Sequence, residues 1–307
     1  MSTRDTSQRR RRRRNTALKA PAKEESMAQD RVGIIGPGRM GLAMLKHLKK
    51  HGFDVTVYDI NDEQLAKAVA QGGVAASSPK EVGENSDYII VGVGFEPEVY
   101  ACLTGDDGAL AGMASGGAIA VCSTASVSGV QDLAQLCGEK GIGFLDAPIA
   151  RGRWAADEGT LLALVGGTAE VVERSRPVFE TFCSDIEHMG EVGHGQVAKM
   201  MNNYLLWVNG CALIEAGRLA ESTGIDLPKL RNALMMSSGD SAALRDWDRM
   251  TFTWALKDMQ MMEKLMDGEN KAFPLAGLIK ELVKDGRTIK ATNPPDWSGE
   301  GGTAKRP

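Results

Sequence analysis

Lys199 and Asn203 lie four residues apart in the segment Gly193-His194-Gly195-Gln196-Val197-Ala198-Lys199-Met200-Met201-Asn202-Asn203. On a helix that spacing puts both side chains on one face, an amine next to an amide. An amine that is partly buried loses proton affinity and becomes a general acid/base near neutral pH, while an amide can hold a reacting group in line with it. A glycine-rich run, Val32-Gly33-Ile34-Ile35-Gly36-Pro37-Gly38-Arg39-Met40-Gly41, precedes them by about 160 residues. Its G-x-G-x-x-G spacing at Gly36, Gly38 and Gly41 follows an apolar strand and opens a helix. The first glycine allows a tight turn, the second lets backbone approach a pyrophosphate, and the third lets helix and strand pack closely. Asp59 ends a second apolar strand, Val55-Thr56-Val57-Tyr58, at the distance from Gly36 where an acid meets the ribose hydroxyls of a dinucleotide. No arginine replaces it in Ile60-Asn61-Asp62, which favours NAD, with NADP possible. A cofactor that exchanges hydride and an amine that exchanges protons belong to one chemistry, the interconversion of an alcohol and a carbonyl.

The elements that must position these groups read as two domains. From Asp30, short apolar strands alternate with amphipathic helices, the pattern of a parallel sheet with crossover helices. Strands are expected at 31–35, 54–58, 88–93, 117–122, 143–147, 161–165 and 186–189, and helices at 40–51, 63–71 and 127–137. After Gly195 the strand signals stop, and helices are expected at 196–222, 227–237, 247–266 and 273–284. The first of these would be roughly 40 Å long at 1.5 Å per residue. The expected fold is an α/β Rossmann-type N-terminal domain followed by an all-α C-terminal domain, joined by a long helix. The corresponding boundaries are 1–29, a disordered basic extension; 30–193, the NAD-binding domain; 194–292, the all-α domain; and 293–307, a loose tail.

Four of these segments, with a fifth, resemble the β-hydroxyacid dehydrogenase family, which includes 3-hydroxyisobutyrate dehydrogenase, tartronate semialdehyde reductase and relatives of 6-phosphogluconate dehydrogenase. They are Gly36 to Gly41, Cys122-Ser123-Thr124, Asp146-Ala147-Pro148 with Glu158-Gly159-Thr160-Leu161, Gly193 to Asn203, and Leu256-Lys257-Asp258. The resemblance covers residues 30–300 and implies an NAD(P)-dependent oxidoreductase with Lys199 as general acid/base and Asn203 beside it. It implies that Gly36, Gly38, Arg39, Met40, Gly41, Asp59, Val93, Gly94, Thr124 and Lys257 bind the cofactor. Substrate would meet Ser123, Ala150, Arg151, Gly152 and Asn203. For Asp258, an orienting role toward Lys257 and a plain intrahelical role stand side by side. The family's serine-glycine-glycine turn after Asp146-Ala147-Pro148 is replaced by Ile149-Ala150-Arg151-Gly152-Arg153, so the serine hydroxyl is missing. Arg151 becomes the candidate anchor for a carboxylate, sulfonate or phosphate, the alternative being an arginine directed to solvent. Val93-Gly94 stands where the family usually has Leu-Pro. The stretch from Ser237 to Lys257 is shorter than in the family, and Asp240, Trp247 and Phe252 within it are expected to form the far wall of the pocket.

Charge and composition bound the partners. Residues 1–26 carry nine basic and three acidic side chains, a net of +6, so a chain of net charge −4 has a remainder of −10. An acidic folded body is a poor nucleic-acid ligand. The Arg9 to Arg14 run is either a polyanion-binding or targeting tail, or an extension ahead of a start at Met27. The five cysteines and four histidines show no metal-ligand spacing, so no metal is expected. No apolar run reaches the length of a membrane span, and a cytoplasmic location is expected. The long apolar helix points to a homodimer or homotetramer. Two other readings share the fold: an imine reductase-type enzyme, disfavoured by Lys199, and a non-catalytic NAD-binding interaction protein, which would need neither Lys199 nor Asn203.

Overall fold

The computed structural model describes residues 31–299, so the basic extension and residues 300–307 lie outside the described residues. The chain begins with β1 (Val32–Ile35), α1 (Arg39–Lys50), β2 (Val55–Tyr58), α2 (Asp62–Ala70), β3 (Val74–Ala75), α3 (Pro79–Glu84) and β4 (Tyr88–Val91). It continues through α4 (Glu96–Leu103), α5 (Ala109–Gly112), β5 (Ala118–Val121), α6 (Val127–Glu139), β6 (Gly143–Asp146) and β7 (Ile149–Ala150). Then come α7 (Gly152–Glu158), β8 (Leu161–Gly166), α8 (Ala169–Phe179) and β9 (Cys183–Gly190). The rest is helical: α9 (His194–Ser222), α10 (Leu227–Met235), α11 (Ala242–Arg245), α12 (Ala255–Glu269) and α13 (Pro274–Thr292).

Sheet order is β3-β2-β1-β4-β5-β6-β8-β7, with β9 also paired to β8. Strands β1 to β6 pair in parallel, with Val32 opposite both Val55 and Tyr88. β1, β4 and β5 are buried at every residue, as strands with helices on both faces must be. One core, with Met44, Leu48, Tyr88 and Phe179, covers one sheet face; another, with Val82, Leu103 and Leu133, covers the other. Chain direction across the sheet reverses between β1 and β4, and their carboxyl ends open the crevice where ligands bind in such sheets.

The helical domain has its own core around Trp207, Trp247, Phe252, Met259 and Trp297. It corrects three expectations. Residues 247–266 are not one helix: α11 ends at Arg245, and α12 begins only at Ala255. The intervening segment turns inward, burying Trp247 and Phe252 to 1% and 2% exposure, so these aromatics are core and not a pocket wall. Asp240 likewise pairs with Arg245. Nor are residues 293–299 loose, because Trp297 is fully buried and its indole N–H donates to the Leu213 carbonyl at 3.1 Å.

Candidate active site

Backbone geometry at the β1–α1 turn explains each fingerprint glycine. Gly36 has φ 83°, a left-handed conformation, and a Cβ there would lie 2.8 Å from Val93 Cγ1. A Cβ on Gly41 would meet the Gly36 carbonyl at 2.8 Å, whereas one on Gly38 would meet nothing within 4 Å. Gly38 is the N-cap of α1 and supplies no side-chain cap, so the first amides of a twelve-residue helix face the open side of the turn. Free amides, a helix dipole and unfilled space beside a glycine suit the pyrophosphate of a dinucleotide. Met40 packs against the core, while Arg39 leaves the turn to pair with Asp157 of α7, Nη1 to Oδ1 being 2.8 Å. Asp59 follows β2, receives the Asn61 amide at 2.9 Å, and forms no ion pair among the described residues. Ile60 beside it is 83% exposed.

The adjacent strand ends complete this side. The Ser123 hydroxyl donates to the Val93 carbonyl at 2.8 Å. Thr124, half-buried, has no side-chain hydrogen bond among the described residues. Gly94 donates its amide to Glu98 Oε2 at 2.9 Å and accepts a bond from Lys257 Nζ on its carbonyl. The Lys257 ammonium also lies 5.2 Å from the Phe95 ring centroid and 5.7 Å from that of Trp254.

α9 is docked onto the sheet by residues to which the sequence assigned no individual role. Asp146, at the end of β6, accepts the Gly193 and Gln196 amides, both at 2.7 Å, and so caps the helix. Burial pushes its carboxyl up to about 6 against those two bonds. Gln196, fully buried, donates to the Ser123 carbonyl at 2.9 Å and accepts the Ala125 amide at 3.1 Å. Helix and strands come so close that a Cβ on Gly195 would collide with the Leu164 carbonyl and lie 2.7 Å from that of Asp146. This contact accounts for Gly195, while Gly193 adopts a left-handed φ of 99°.

Three residues past Gln196, the half-buried Lys199 donates from Nζ to the Ile149 carbonyl at 2.7 Å. Asn203 is 8% exposed, and its Oδ1 receives Asn202 Nδ2 at 3.0 Å. α12 contributes Asp258, whose Oδ2 accepts the Trp207 indole N–H at 3.0 Å and which interacts with Lys199, Lys257 and Asn203. Burial holds both lysines below the usual ammonium range and the Asp258 carboxyl above the usual carboxylate range, while attraction among them opposes each shift. Asp258 thus favours the ammonium form of both lysines, each of which gives its hydrogen bond to a backbone carbonyl rather than to the carboxylate. The neighbouring Lys257 is the one local signal for this role; Trp207, 51 positions from Asp258, meets it only in the folded domain.

The substrate turn differs from expectation at Arg151. Its backbone adopts φ 81°, and its Nη1 donates to the Thr160 carbonyl at 3.1 Å, Ser184 Oγ at 2.8 Å and Asp185 Oδ2 at 2.5 Å. The guanidinium is therefore engaged at the start of β9, neither solvent-directed and free nor gathered with Lys199. Ala150 is buried and Gly152 exposed, leaving backbone groups as the nearest polar atoms of this turn to Lys199. Among the described residues, no helix is long and apolar enough to cross a membrane.

A glycine-rich turn shaped for dinucleotide phosphates at the β1–α1 junction, with a half-buried lysine on α9, suits an NAD(P)-dependent oxidoreductase that acts on a CH–OH group. The comparisons agree. The NAD-binding domain of 6-phosphogluconate dehydrogenase matches residues 31–190, and the NAD-binding region of NADP-dependent 3-hydroxyisobutyrate dehydrogenase matches residues 193–293. An NAD-dependent L-serine dehydrogenase of Pseudomonas aeruginosa is 35% identical over 69% of this chain and 72% of its own length. A probable mitochondrial 3-hydroxyisobutyrate dehydrogenase-like protein of Arabidopsis thaliana is 34% identical over 83% of this chain and 87% of its own. The solved structure of Mycobacterium tuberculosis 3-hydroxyisobutyrate dehydrogenase with L-serine superposes with a TM-score of 0.78 at 24% identity, covering 87% of this chain and 96% of that one, and shows the shared fold. The chain belongs to the β-hydroxyacid dehydrogenase family, and its cofactor is NAD(P).

Proposed function

We propose that this enzyme interconverts a small anionic β-hydroxy acid and its semialdehyde, with Lys199 as the general acid/base. The observation that carries the reading is the position of Lys199 Nζ, hydrogen-bonded to the substrate turn at Ile149 and opposed by Asp258. The names of the relatives support the substrate class, since serine and 3-hydroxyisobutyrate are both β-hydroxy acids. When bound, the dinucleotide supplies the group that accepts or returns hydride. In oxidation a neutral Lys199 takes the substrate hydroxyl proton; in reduction its ammonium returns a proton to the carbonyl oxygen. Asn203 orients the reacting oxygen, and the Ala150 to Gly152 backbone receives the acid group beside the carbinol. Ser123, Thr124, Val93, Gly94 and Lys257 shape the nicotinamide side.

Arg39 holds Asp157 by an exposed pair worth less than about 1 kcal/mol, so it can exchange this partner for the cofactor phosphate at little cost. The unpaired Asp59 carboxylate favours NAD, because a 2′-phosphate there would meet like charge. Exposed Leu205 and Leu219 on α9, with Phe273, Leu275 and Leu278 at the start of α13, support a homodimer, which light scattering at micromolar concentration checks. The direct test is absorbance at 340 nm with NAD and NADP against 3-hydroxy acids and their semialdehydes. Turnover is expected with NAD and a carboxylate-bearing alcohol. Silence across the panel with NAD binding intact would refute the reading.

A further inference from the structure

α7 lies against α1, the helix that opens at the glycine-rich turn, and is fastened to it at two points. His47, buried on α1, shares its Nε2 proton between the Ala156 carbonyl at 3.0 Å and the Asp157 carbonyl at 3.1 Å. The packing is close, since a Cβ on Gly159, the C-cap of α7, would lie 2.9 Å from His47 Cε1. Side chains make the second fastening. Arg39 Nη1 donates to Asp157 Oδ1 at 2.8 Å, and Nη2 donates to Oδ2, so both terminal nitrogens of the guanidinium face one carboxylate.

The two fastenings differ in kind. The His47 contact is buried and fixes the α7 backbone, whereas the side chains of Arg39 and Asp157 are 49% and 42% exposed. Arg39 is the first residue of α1, directly after Gly38, so its side chain leaves from the turn whose amides suit a pyrophosphate. It has no other acidic partner among the described residues. A phosphate that takes the same fork of the guanidinium must displace Asp157. The α7 backbone stays where His47 holds it, and the displaced carboxylate remains beside the phosphate. Lys46, exposed on α1, and His47 are then the neighbouring groups that can offset its charge.

We infer that Asp157 sets the affinity of this enzyme for its dinucleotide: it competes with the cofactor phosphate for Arg39 and opposes that phosphate once displaced. The inference rests on the reading that Arg39 turns to the cofactor, and it gives α7 a part in cofactor exchange. Asp157 recaptures Arg39 as the dinucleotide leaves. Product release sets the turnover of many enzymes, and a carboxylate that takes back the arginine favours that step.

Titration with NADH, read by its fluorescence on binding, tests this without any substrate. In Asp157→Asn the Kd should fall about three- to tenfold, from the loss of an exposed competing ion pair and of one nearby like charge. The ratio between the two enzymes should shrink toward one at about 1 M salt. Arg39→Ala should weaken binding, and Asp157→Asn added to it should give a clearly smaller gain than it gives alone. Asp157→Glu, which keeps the charge, should restore an affinity near that of the wild type. The His47 contacts are to backbone, so Asp157→Asn should keep its fold by circular dichroism; Asp157→Ser repeats the test if it does not. NADH binding that is unchanged or weaker in a folded neutral variant would overturn the inference, as would a gain of the same size without Arg39. If Arg39→Ala loses affinity while Asp157→Asn gains none, the inference fails and the Arg39 reading stands. If Arg39→Ala binds NADH as the wild type does, both fail.

Discussion

Replacing Asp258 with asparagine removes one charge from a buried group of three while keeping nearly the same volume. Asp258 is 8% exposed and interacts with Lys199 and Lys257. The asparagine oxygen can still accept the Trp207 indole N–H, which Asp258 now holds at 3.0 Å, so the fold should survive. Both lysines then keep their burial penalty without its compensation. An opposite charge at close range favours a charged group by about one to three pKa units, and each unit is worth about 1.4 kcal/mol. Because two lysines share the single carboxylate, we expect the lower end, about one unit, for Lys199. Its proton affinity, already depressed by burial, should fall further. The assay is the pH dependence of kcat/KM for alcohol oxidation, whose acidic limb reports the free enzyme's general base. In Asp258→Asn this limb should move down by about one unit, and in the reductive direction activity should be lost at correspondingly lower pH. A limb that stays in place, or moves up, with NADH binding and circular dichroism unchanged, would refute the role of Asp258 as counter-charge to Lys199.

Other parts of the site give equally direct expectations. Gly195→Ala should lower stability by about 1–3 kcal/mol in urea unfolding, since its Cβ collides with strand carbonyls that cannot move without disturbing β8. Asp59→Ala should narrow the preference for NAD over NADP about tenfold, measured as the ratio of kcat/KM for the two cofactors. Asp146 binds its proton more tightly in the folded chain than in the unfolded one, with a folded value of about 6 against 3.8. Its contribution to stability therefore falls as pH rises from about 4 through 6 and levels off above that; the reverse slope in Asp146-dependent unfolding curves, compared with Asp146→Asn, would contradict the sign.

How much of this was legible in sequence follows from how local each signal is. The β1–α1 turn could be read because Gly36, Gly38 and Gly41 each answer a constraint set within a few residues. Lys199 and Asn203 could be read as a pair because helical spacing alone brings them to one face. Their supports could not. Asp146 caps a helix 47 positions away, and Gln196 bonds to a carbonyl 73 positions away, so neither has a neighbour in sequence that betrays its partner. The segment from Trp247 to Trp254 carries apolar residues at spacings that read as helix. In the fold Phe252 packs against Trp207, Gly210 and Gly286, and tertiary packing decides the conformation. Arg151 shows a related limit: residue type announced a cation that needs an acidic partner, and only the fold shows that Asp185 stands beside it.

The central claim is that Lys199 exchanges the proton that accompanies hydride transfer. Pre-steady-state absorbance at 340 nm, with enzyme saturated by NAD and mixed with a substrate found in the screen, measures that step in the wild type and in Lys199→Ala. The expected result is a loss of about 10²- to 10⁴-fold in the rate of NADH formation with NAD affinity unchanged. A Lys199→Ala enzyme that forms NADH within about tenfold of the wild-type rate would contradict the account.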